Sequence, residues 1–251
     1  MFAGERQKYI LEQLRANGDV SVEKLAKELD VSLMTIRRDL QKMSTEGQIE
    51  RYHGGAVIKS EEPYVKKAVS HNEEKLAIAK KAVDMIKDGN CIFLDAGTTT
   101  FQMIPLLEQF HNLTIVTNDF EIAYKVARTK FDVIIIGGML QKTTSCMFGM
   151  MTNDALQQLK FDQAFMGAAT IDEQFDVLTP TEVKAAYKRT VVENSNYSYL
   201  LVDSGKFNRR AMVKVNNLRD YTGVITTYQF SEDERVQILE NDISIISVKI
   251  K

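Results

Sequence analysis

The sequence lacks the features that mark membrane, secreted and metal-binding proteins. Its longest apolar runs, such as Val133–Ile136, fall far short of the ~20 residues that a membrane-spanning helix needs. The opening residues, MFAGERQK, contain no apolar segment of a signal peptide. Only two cysteines, Cys91 and Cys146, occur in 251 residues, so we expect no disulfide framework, and no Cys/His cluster has metal-ligand spacing. We therefore expect a cytoplasmic protein with no metal ion, no cofactor and no membrane contact.

A large net charge is also absent, since the formal charge is −2 with 26% charged and 44% hydrophobic residues. This composition is typical of a soluble globular chain, and the net charge alone argues against nucleic-acid binding. The local pattern is more informative. In Ser32–Met43 the three cations Arg37, Arg38 and Lys42 are accompanied by one acid, Asp39. This pattern predicts a basic ridge on a nearly neutral unit, as DNA readout requires.

Three short helices are predicted before residue 46. Apolar spacing predicts a helix over Glu5–Ala16 and a second over Val22–Leu29 with Ser21 as its N-cap. Asp30-Val31 then predicts a tight turn, and Ser32 caps the third helix. Two short helices, a brief turn and a third capped helix are typical of a helix-turn-helix.

The third helix is predicted to have a buried apolar face and an exposed polar face. Helical periodicity turns four residues inward: Leu33, Ile36, Leu40 and Met43. The polar side chains remaining outside are Thr35, Arg37, Arg38, Gln41 and Lys42.

A hairpin follows this helix and predicts the wing of a winged helix. Gln48–Tyr52 alternates like a strand, His53-Gly54-Gly55 provides the turn, and Ala56–Ile58 forms the returning strand. Glycines at the tip allow the main chain to approach phosphate, and each bidentate arginine–guanine contact is worth roughly 1–3 kcal/mol of discrimination. Seen alone, the arginine pair also fits an ordinary solvated helix face. The residues predicted to contact DNA are Ser32, Thr35, Arg37, Arg38, Lys42, Arg51, Tyr52, His53 and Gly54.

The remainder of the chain predicts an α/β unit with a mainly parallel sheet. Residues 59–72 are polar and are interpreted as a linker between a DNA-binding domain at 1–58 and a sensor domain at 73–251. Helices alternate with continuously apolar strands, a pattern typical of a parallel sheet covered on both faces. The strands are predicted at 91–95, 114–117, 133–136, 163–166, 199–202, 223–226 and 243–248.

The ends of these strands predict a ligand site. In parallel α/β folds, ligands bind beyond the carboxyl ends of the strands. The first strand runs into Asp95-Ala96-Gly97-Thr98-Thr99-Thr100, where hydroxyls and the following helix start suit a phosphate. Asn118 and Gly138 close the next two strands, and Lys206 follows a later strand on a glycine-bearing loop. The Asp95–Thr100 loop also fits a plain strand–helix turn capped by threonines, and Lys206 also fits an ordinary lysine in a surface turn.

Two of these segments carry a family signature. Val31–Leu40 reads VSLMTIRRDL and Arg51–Ala56 reads RYHGGA. The chain therefore resembles the DeoR family of bacterial transcriptional repressors, whose pattern is V-S-x-x-T-I-R-R-D-L followed by R-x-H-G-G-A. The resemblance implies a sensor domain related in fold to ribose-5-phosphate isomerase, glucosamine-6-phosphate deaminase and the CoA transferases.

The resemblance also implies roles for individual residues. The Asp95–Thr100 loop and the Asp203–Phe207 loop are expected to line a phosphosugar pocket, with Lys75 near the phosphate and Glu182 accepting sugar hydroxyls. Thr170-Ile171-Asp172 and Ser204-Gly205 depart from the family's common residues, so the resemblance does not name the sugar. The expected effector contacts are Lys75, Asp95, Gly97, Thr98, Thr99, Thr100, Asn118, Gly138, Glu182 and Lys206.

The resulting hypothesis is a transcriptional repressor of sugar uptake and catabolism genes. A homo-oligomer, dimeric or tetrameric, would read double-stranded operator DNA, and a phosphorylated sugar would alter that binding. The alternative is a sugar-phosphate isomerase-like enzyme with an accessory DNA-binding head, in which Asp95, Glu182 and Asp203 are candidate bases. A purely structural interaction module also stays open.

Overall fold

The computed structural model describes residues 2–17, 19–45, 49–52, 54–58 and 63–250. An N-terminal unit of short helices and strands precedes a larger α/β unit. Within the described ranges, no helix has both the length and the apolar character needed to cross a membrane. The elements of the N-terminal unit are α1 Ala3–Asn17, β1 Asp19–Ser21, α2 Val22–Glu28, α3 Leu33–Thr45, β2 Ile49–Tyr52 and β3 Gly55–Ile58.

The helix-turn-helix forms as its capping residues predict. The Ser21 hydroxyl accepts a hydrogen bond from the Lys24 amide (3.5 Å) at the start of α2. Asp30 adopts a left-handed conformation (φ 50°) in the turn, and the Ser32 hydroxyl accepts from the Thr35 amide (3.1 Å) at the start of α3. Helices α2 and α3 are therefore separated by a short, fixed turn.

The wing is a three-stranded antiparallel sheet in the order β1-β3-β2. β2 and β3 form the predicted hairpin, with Arg51 opposite Ala56. β1 was not predicted, because three residues are too short to show a period of two. Two residues of the predicted hairpin, Gln48 and His53, lie outside the described residues.

The core of this unit packs α3 against α1 and the wing. Ile36, Leu40 and Met43 are fully buried with Ile10 and other apolar side chains. The prediction that Leu33 faces inward is wrong, since it is 44% exposed. Both Leu33 and its neighbour Met34 are at the surface, so the first turn of α3 lies outside the core.

The segment interpreted as a linker contains a helix. Residues 59–62 lie outside the described residues, but Tyr64–Val69 forms helix α4. The Tyr64 amide donates to the Thr143 carbonyl (2.8 Å), which fixes the start of α4 to the α/β unit. The structure therefore places residues 63–72 against the larger α/β unit, whereas the sequence predicted that they form a polar linker.

The larger unit contains six further α-helices and twelve strands among its described residues. The helices are α5 Asn72–Val83, α6 Thr98–Phe101, α7 Phe120–Val126, α8 Met150–Gln157, α9 Glu182–Glu193 and α10 Glu232–Glu240, with 3-10 turns at Ile104–Gln109, Ser204–Lys206 and Leu218–Asp220. The strands are β4 Cys91–Leu94, β5 Thr114–Thr117, β6 Asp132–Ile135, β7 Met139–Gln141, β8 Cys146–Phe148, β9 Phe161–Gly167, β10 Thr170–Ile171, β11 Asp176–Thr179, β12 Ser195–Val202, β13 Val213–Asn217, β14 Gly223–Thr226 and β15 Ile245–Ser247.

Seven strands form one parallel sheet in the order β15-β14-β12-β9-β4-β5-β6. These are the seven strands that the apolar runs predicted. Successive residues of β4 enter separate cores on the two faces, Phe93 on one side and Ile92 and Leu94 on the other. A sheet buried on both faces explains why its strands are apolar throughout.

Two smaller antiparallel sheets, β10-β11-β13 and β7-β8, lie outside this sheet. They were not predicted, because their strands are short and mix polar with apolar residues. The parallel order brings the carboxyl ends of the adjacent strands β12, β9 and β4 to one edge of the sheet, where the polar loops gather.

Candidate functional site

The exposed face of α3 carries the predicted cations. Arg37, Arg38 and Lys42 are all exposed, as is Gln41. Asp39, the single acid of α3, is instead buried and points inward, where it accepts from Arg6 Nε (2.6 Å). The acid is therefore paired inside the unit, and the outer face of α3 presents positive charge.

The wing is joined to this face by a side-chain contact. Arg51 on β2 hydrogen-bonds to the Gln41 side chain on α3. Gly54 at the wing tip has φ +94°, a conformation that glycine adopts without strain. Of the other predicted DNA contacts, Ser32 is exposed and Thr35 half-buried, with their hydroxyls 2.9 Å apart; the structure describes the main chain of Tyr52.

A pocket opens at the carboxyl edge of the parallel sheet. Six of the ten predicted effector contacts line it: Lys75, Gly97, Thr98, Thr99, Thr100 and Lys206. Five lysines lie around the pocket, which gives it a strong positive charge: Lys67, Lys75, Lys184, Lys188 and Lys206. Among the described residues, no group of three or more His, Cys, Asp or Glu side chains is placed to hold a metal ion.

Asp95 forms the buried floor beneath this pocket. Its carboxylate is fully buried and accepts from the Gly167 amide (2.8 Å), from the Tyr187 hydroxyl (3.0 Å) and from Lys188 Nζ. Lys188 Nζ also donates to the Gly167 carbonyl (2.9 Å). Asp95 therefore orients Lys188 from below and is itself satisfied by protein donors, which does not favour a role as a free base.

The loop after β4 is held by its own hydroxyls. Thr100 Oγ1 donates to the carbonyls of Asp95 (2.7 Å) and Gly97 (2.8 Å), and Thr98 Oγ1 donates to the Lys67 carbonyl (3.4 Å). Helix α6, which begins here, contains four residues. A helix this short supplies little macrodipole, so the positive potential of the pocket comes mainly from its lysines.

Helix α9 contributes three side chains that sequence reasoning missed. Lys184 and Lys188 lie one turn apart on α9, both buried, with Tyr187 beside them, and all three line the pocket. Lys184 Nζ donates to Thr144 Oγ1 (3.2 Å). Two lysines four residues apart share one helix face, but the sequence alone does not show that this face is buried.

Helix α4 forms another wall of the pocket. Tyr64 and Lys67 on α4 line it directly. Lys75 is buried, and its ammonium donates to the Ser70 carbonyl (2.6 Å) and to the Lys67 carbonyl. Lys75 therefore attaches the carboxyl end of α4 to α5, so the predicted phosphate-binding lysine also has a structural role.

Besides Asp95, which lies beneath the pocket, three predicted effector contacts do not line it. Asn118 is buried below it and donates to the Met147 carbonyl (3.0 Å). Gly138 has φ +151°, and a Cβ at this position would lie 2.3 Å from Thr152 Oγ1. Glu182 is exposed at the start of α9. The structure thus gives Asn118 and Gly138 packing roles at the loops where the sequence predicted ligand contacts.

A network around Glu74 fixes the loop that carries Lys206. The Glu74 carboxylate accepts from the amide and hydroxyl of Ser204 (2.9 and 3.0 Å), from Thr227 and from His71 (2.6 Å between Nδ1 and Oε1). Burial alone would raise the pKa of Glu74, but the hydrogen bonds from Thr227, His71 and Ser204 lower it to about 2. Glu74 therefore remains ionised and connects α5 to the loop of Lys206.

Two further buried groups next to the pocket have perturbed acidity. Burial raises the pKa of the Asp119 carboxyl to about 7, although the Ile122 amide donates to it (2.9 Å), and nearby Asp95 adds to the rise. Burial likewise raises the pKa of the Cys146 thiol to about 11. The thiol is therefore protonated at neutral pH and is not an activated nucleophile.

A second cavity lies between the two units. Asp19, Lys24 and Glu28 line it from the N-terminal unit, and Phe207 and Arg209 line it from the larger one. Because Phe207 directly follows Lys206, one loop contacts both the lysine pocket and this cavity.

Two family profiles match most of the chain. Residues 6–62 match the DeoR-like helix-turn-helix domain, and residues 70–228 match the DeoR C terminal sensor domain. The first profile spans the helix-turn-helix and wing, and the second spans the loops and helices that form the lysine pocket.

Curated relatives extend over nearly the whole chain. The HTH-type transcriptional regulator GlpR of Haloferax volcanii is 32% identical over 98% of each chain. The glycerol-3-phosphate regulon repressor of Escherichia coli (strain K12) is 33% identical over 88% of this chain and 90% of the repressor. The lactose phosphotransferase system repressor of Staphylococcus epidermidis is 31% identical over 97% of this chain and 98% of that protein. Among solved structures, ribose 5-phosphate isomerase A from Methanocaldococcus jannaschii is 21% identical over 55% of each chain, with a TM-score of 0.41.

Proposed function

Because the chain belongs to the DeoR family of transcriptional regulators, we propose that it represses sugar uptake and catabolism genes until a phosphorylated sugar binds its sensor domain. The observation that carries this proposal is the presence of two cationic surfaces on one chain. One is the exposed face of α3 with its wing, and the other is the pocket with five lysines. Both suit phosphate, in a nucleic-acid backbone and in a small ester respectively.

The DNA contacts divide into reading and positioning contacts. Arg37 and Arg38, at the exposed centre of α3, are proposed to reach base edges in the major groove. Lys42, Arg51 and Gly54 are proposed to contact the phosphate backbone from the end of α3 and the wing. Two such units in a homo-oligomer would read two half-sites a helical turn or more apart.

The effector is proposed to bind over the floor formed by Asp95. Lys184, Lys188 and Lys206 would surround its phosphate, and the buried threonines after β4 would contact its polar groups. The mixture of lysines and hydroxyls supports a phosphorylated polyol or sugar more than a simple carboxylate. Two of the relatives are named for glycerol-3-phosphate and lactose phosphotransferase regulons, which supports the same class of effector.

Coupling between the two sites is proposed to run through residues 203–209. The loop carries Lys206 at the effector pocket and Arg209 at the cavity facing α2. An effector that binds one arrangement of this loop more tightly than another shifts the orientation of the DNA-reading units. Equal affinity for both arrangements would leave DNA binding unchanged.

A thermal-shift screen of the full chain with pentose, hexose and polyol phosphates would identify the effector. A gel shift with the DNA upstream of its own gene would then test release. Arg38→Ala is expected to abolish specific DNA binding without changing the melting temperature, whereas exposed Arg235→Ala on α10 is the matched control. If the Arg38→Ala variant still bound its operator DNA specifically, Arg38 would not be a residue that reads bases.

The effector half has a separate test. Lys206→Ala should bind DNA normally but release it poorly when the sugar phosphate is added, with exposed Lys80→Ala on α5 as the control. DNA binding should weaken steeply as salt increases, because phosphate contacts release counterions. Aldose–ketose conversion of any phosphosugar by the purified chain would support the isomerase-like alternative, although the relatives reported above are named as regulators or repressors.

A further inference from the structure

One edge of the parallel sheet carries a large exposed apolar surface. The six side chains that define this edge patch are 40–79% exposed: Tyr124, Ile134, Ile135, Met139, Met150 and Met151. They lie on adjoining elements, because α7 packs on β6, β7 follows β6 closely, and Thr152 Oγ1 donates to the Gly137 carbonyl (2.7 Å), which holds the start of α8 at the end of β6. Exposed apolar side chains gathered on adjoining elements mark an interaction site.

The strand at the centre of the edge patch has an open side. β6 pairs with β5 along one side, and within the described residues no strand pairs with its other side. Ile134 and Ile135 are consecutive, so their side chains point to opposite faces of the sheet, and both are exposed. A solvent-facing edge is normally protected by charge or proline, but β6 has a single charged residue, Asp132, at its start.

We propose that the edge patch binds a second copy of this chain, with β6 pairing antiparallel to the partner copy's β6 across a twofold axis. A partner that lies on one face would leave one isoleucine in water. A strand that continues the sheet instead covers both faces and satisfies the free backbone groups. A twofold axis makes the pairing self-complementary, so one surface serves both copies.

The size of the edge patch agrees with a stable dimer. At about 200 Å² for a fully exposed large side chain, its six residues present on the order of 700 Å² of surface. A standard-size interface takes about 800 Å² from each partner. The proposal rests on the proposed function only for the expectation that DNA-reading units act in pairs.

The test measures the mass of the full chain without DNA or sugar phosphate. Sedimentation equilibrium at micromolar concentration should give twice the 28.5 kDa chain mass. Ile135→Lys should weaken dimerisation by about 100-fold or more, because symmetry places two lysines in one apolar interface. Leu239→Lys on α10, a 77% exposed apolar position away from the edge patch, should leave the dimer intact.

A second variant keeps the proposal testable if Ile135→Lys fails to fold. Cysteine variants at Ile134 and at Ile135, tested one at a time, should yield a disulfide-linked dimer under mild oxidation at the position that lies opposite its own copy, since only a self-paired position of an antiparallel ladder falls within disulfide range. Leu239→Cys should stay uncrosslinked. A monomeric wild-type chain, or a dimer that persists in Ile135→Lys without crosslinking at either cysteine, would overturn the proposal. A dimer that fails to bind DNA would instead count against the proposed function.

Discussion

Replacement of Lys188 by methionine should destabilise the sensor domain far more than an ordinary helix substitution. Asp95, the partner of Lys188, is fully buried, and among the described residues it keeps the Tyr187 hydroxyl and the Gly167 amide as donors once the ammonium is lost. Removal of one member of a buried ion pair costs about 3–5 kcal/mol, because the remaining charge stays in a poorly solvated site. The free energy of unfolding of Lys188→Met should therefore fall by about that amount.

Tyr187→Phe is the matched control on the same helix. The Tyr187 hydroxyl donates to the other oxygen of Asp95 (3.0 Å) and carries no charge. Its loss leaves the Lys188–Asp95 ion pair in place, so we expect the free energy of unfolding to decrease by about 1–2 kcal/mol. The two variants thus separate the loss of a charged partner from the loss of a neutral donor to the same carboxylate.

Urea unfolding followed by circular dichroism measures both losses, and comparable slopes would show that the unfolded states are similar. The double variant Asp95→Asn, Lys188→Met should recover much of the stability lost in Lys188→Met, because no unpaired charge remains. Equal destabilisation by Lys188→Met and Tyr187→Phe would refute the assignment of Asp95 as a charged floor. A double variant that is no more stable than Lys188→Met would refute the same assignment.

Three further outcomes follow from the same structure. Gly138→Ala should lower the free energy of unfolding by about 2 kcal/mol or more, because its Cβ would collide with Thr152. In the same urea titration Gly137→Ala should be nearly neutral, because the space around its Cβ is open. Burial raises the pKa of Asp119 to about 7, so ionisation of this carboxyl opposes folding as pH rises from about 4 through 7. Asp119→Asn should therefore stabilise the fold most at pH 8 and least at pH 4, as thermal melts would show. Glu74, with its pKa lowered to about 2, stabilises the fold above pH ~4.5 and loses that effect as pH falls towards 2, so Glu74→Gln should flatten the acid limb of the melting-temperature profile.

The sequence predicted the parallel sheet well because burial on both faces leaves a continuous apolar run. Each of the seven predicted strands belongs to that sheet. The short antiparallel strands, such as β10 at Thr170–Ile171, were missed because two or three residues cannot display a period. Helix α4 was missed because its exposed Val65 and Val69 give no amphipathic pattern, and contacts with distant loops stabilise it.

The pocket was predicted where a loop follows a strand and missed where a helix supplies the residues. Gly97, Thr98 and Lys206 were identifiable because parallel topology gathers strand ends. Lys184 and Lys188 were missed because a helical lysine in a sequence is usually a solvated residue. Their burial depends on how α9 packs over the sheet, which is a tertiary fact that local sequence does not encode.

The two cationic surfaces share a physical arrangement that suits the anions proposed to bind them. In each, a carboxylate near the binding surface is turned inward and paired: Asp39 with Arg6, and Asp95 with Lys188. An acid left on either surface would repel phosphate at close range and neutralise a neighbouring cation. Buried pairs are weak contributors to stability, so their presence next to both surfaces is better explained by what they do there. They orient cations and remove negative charge from the side that an anion approaches.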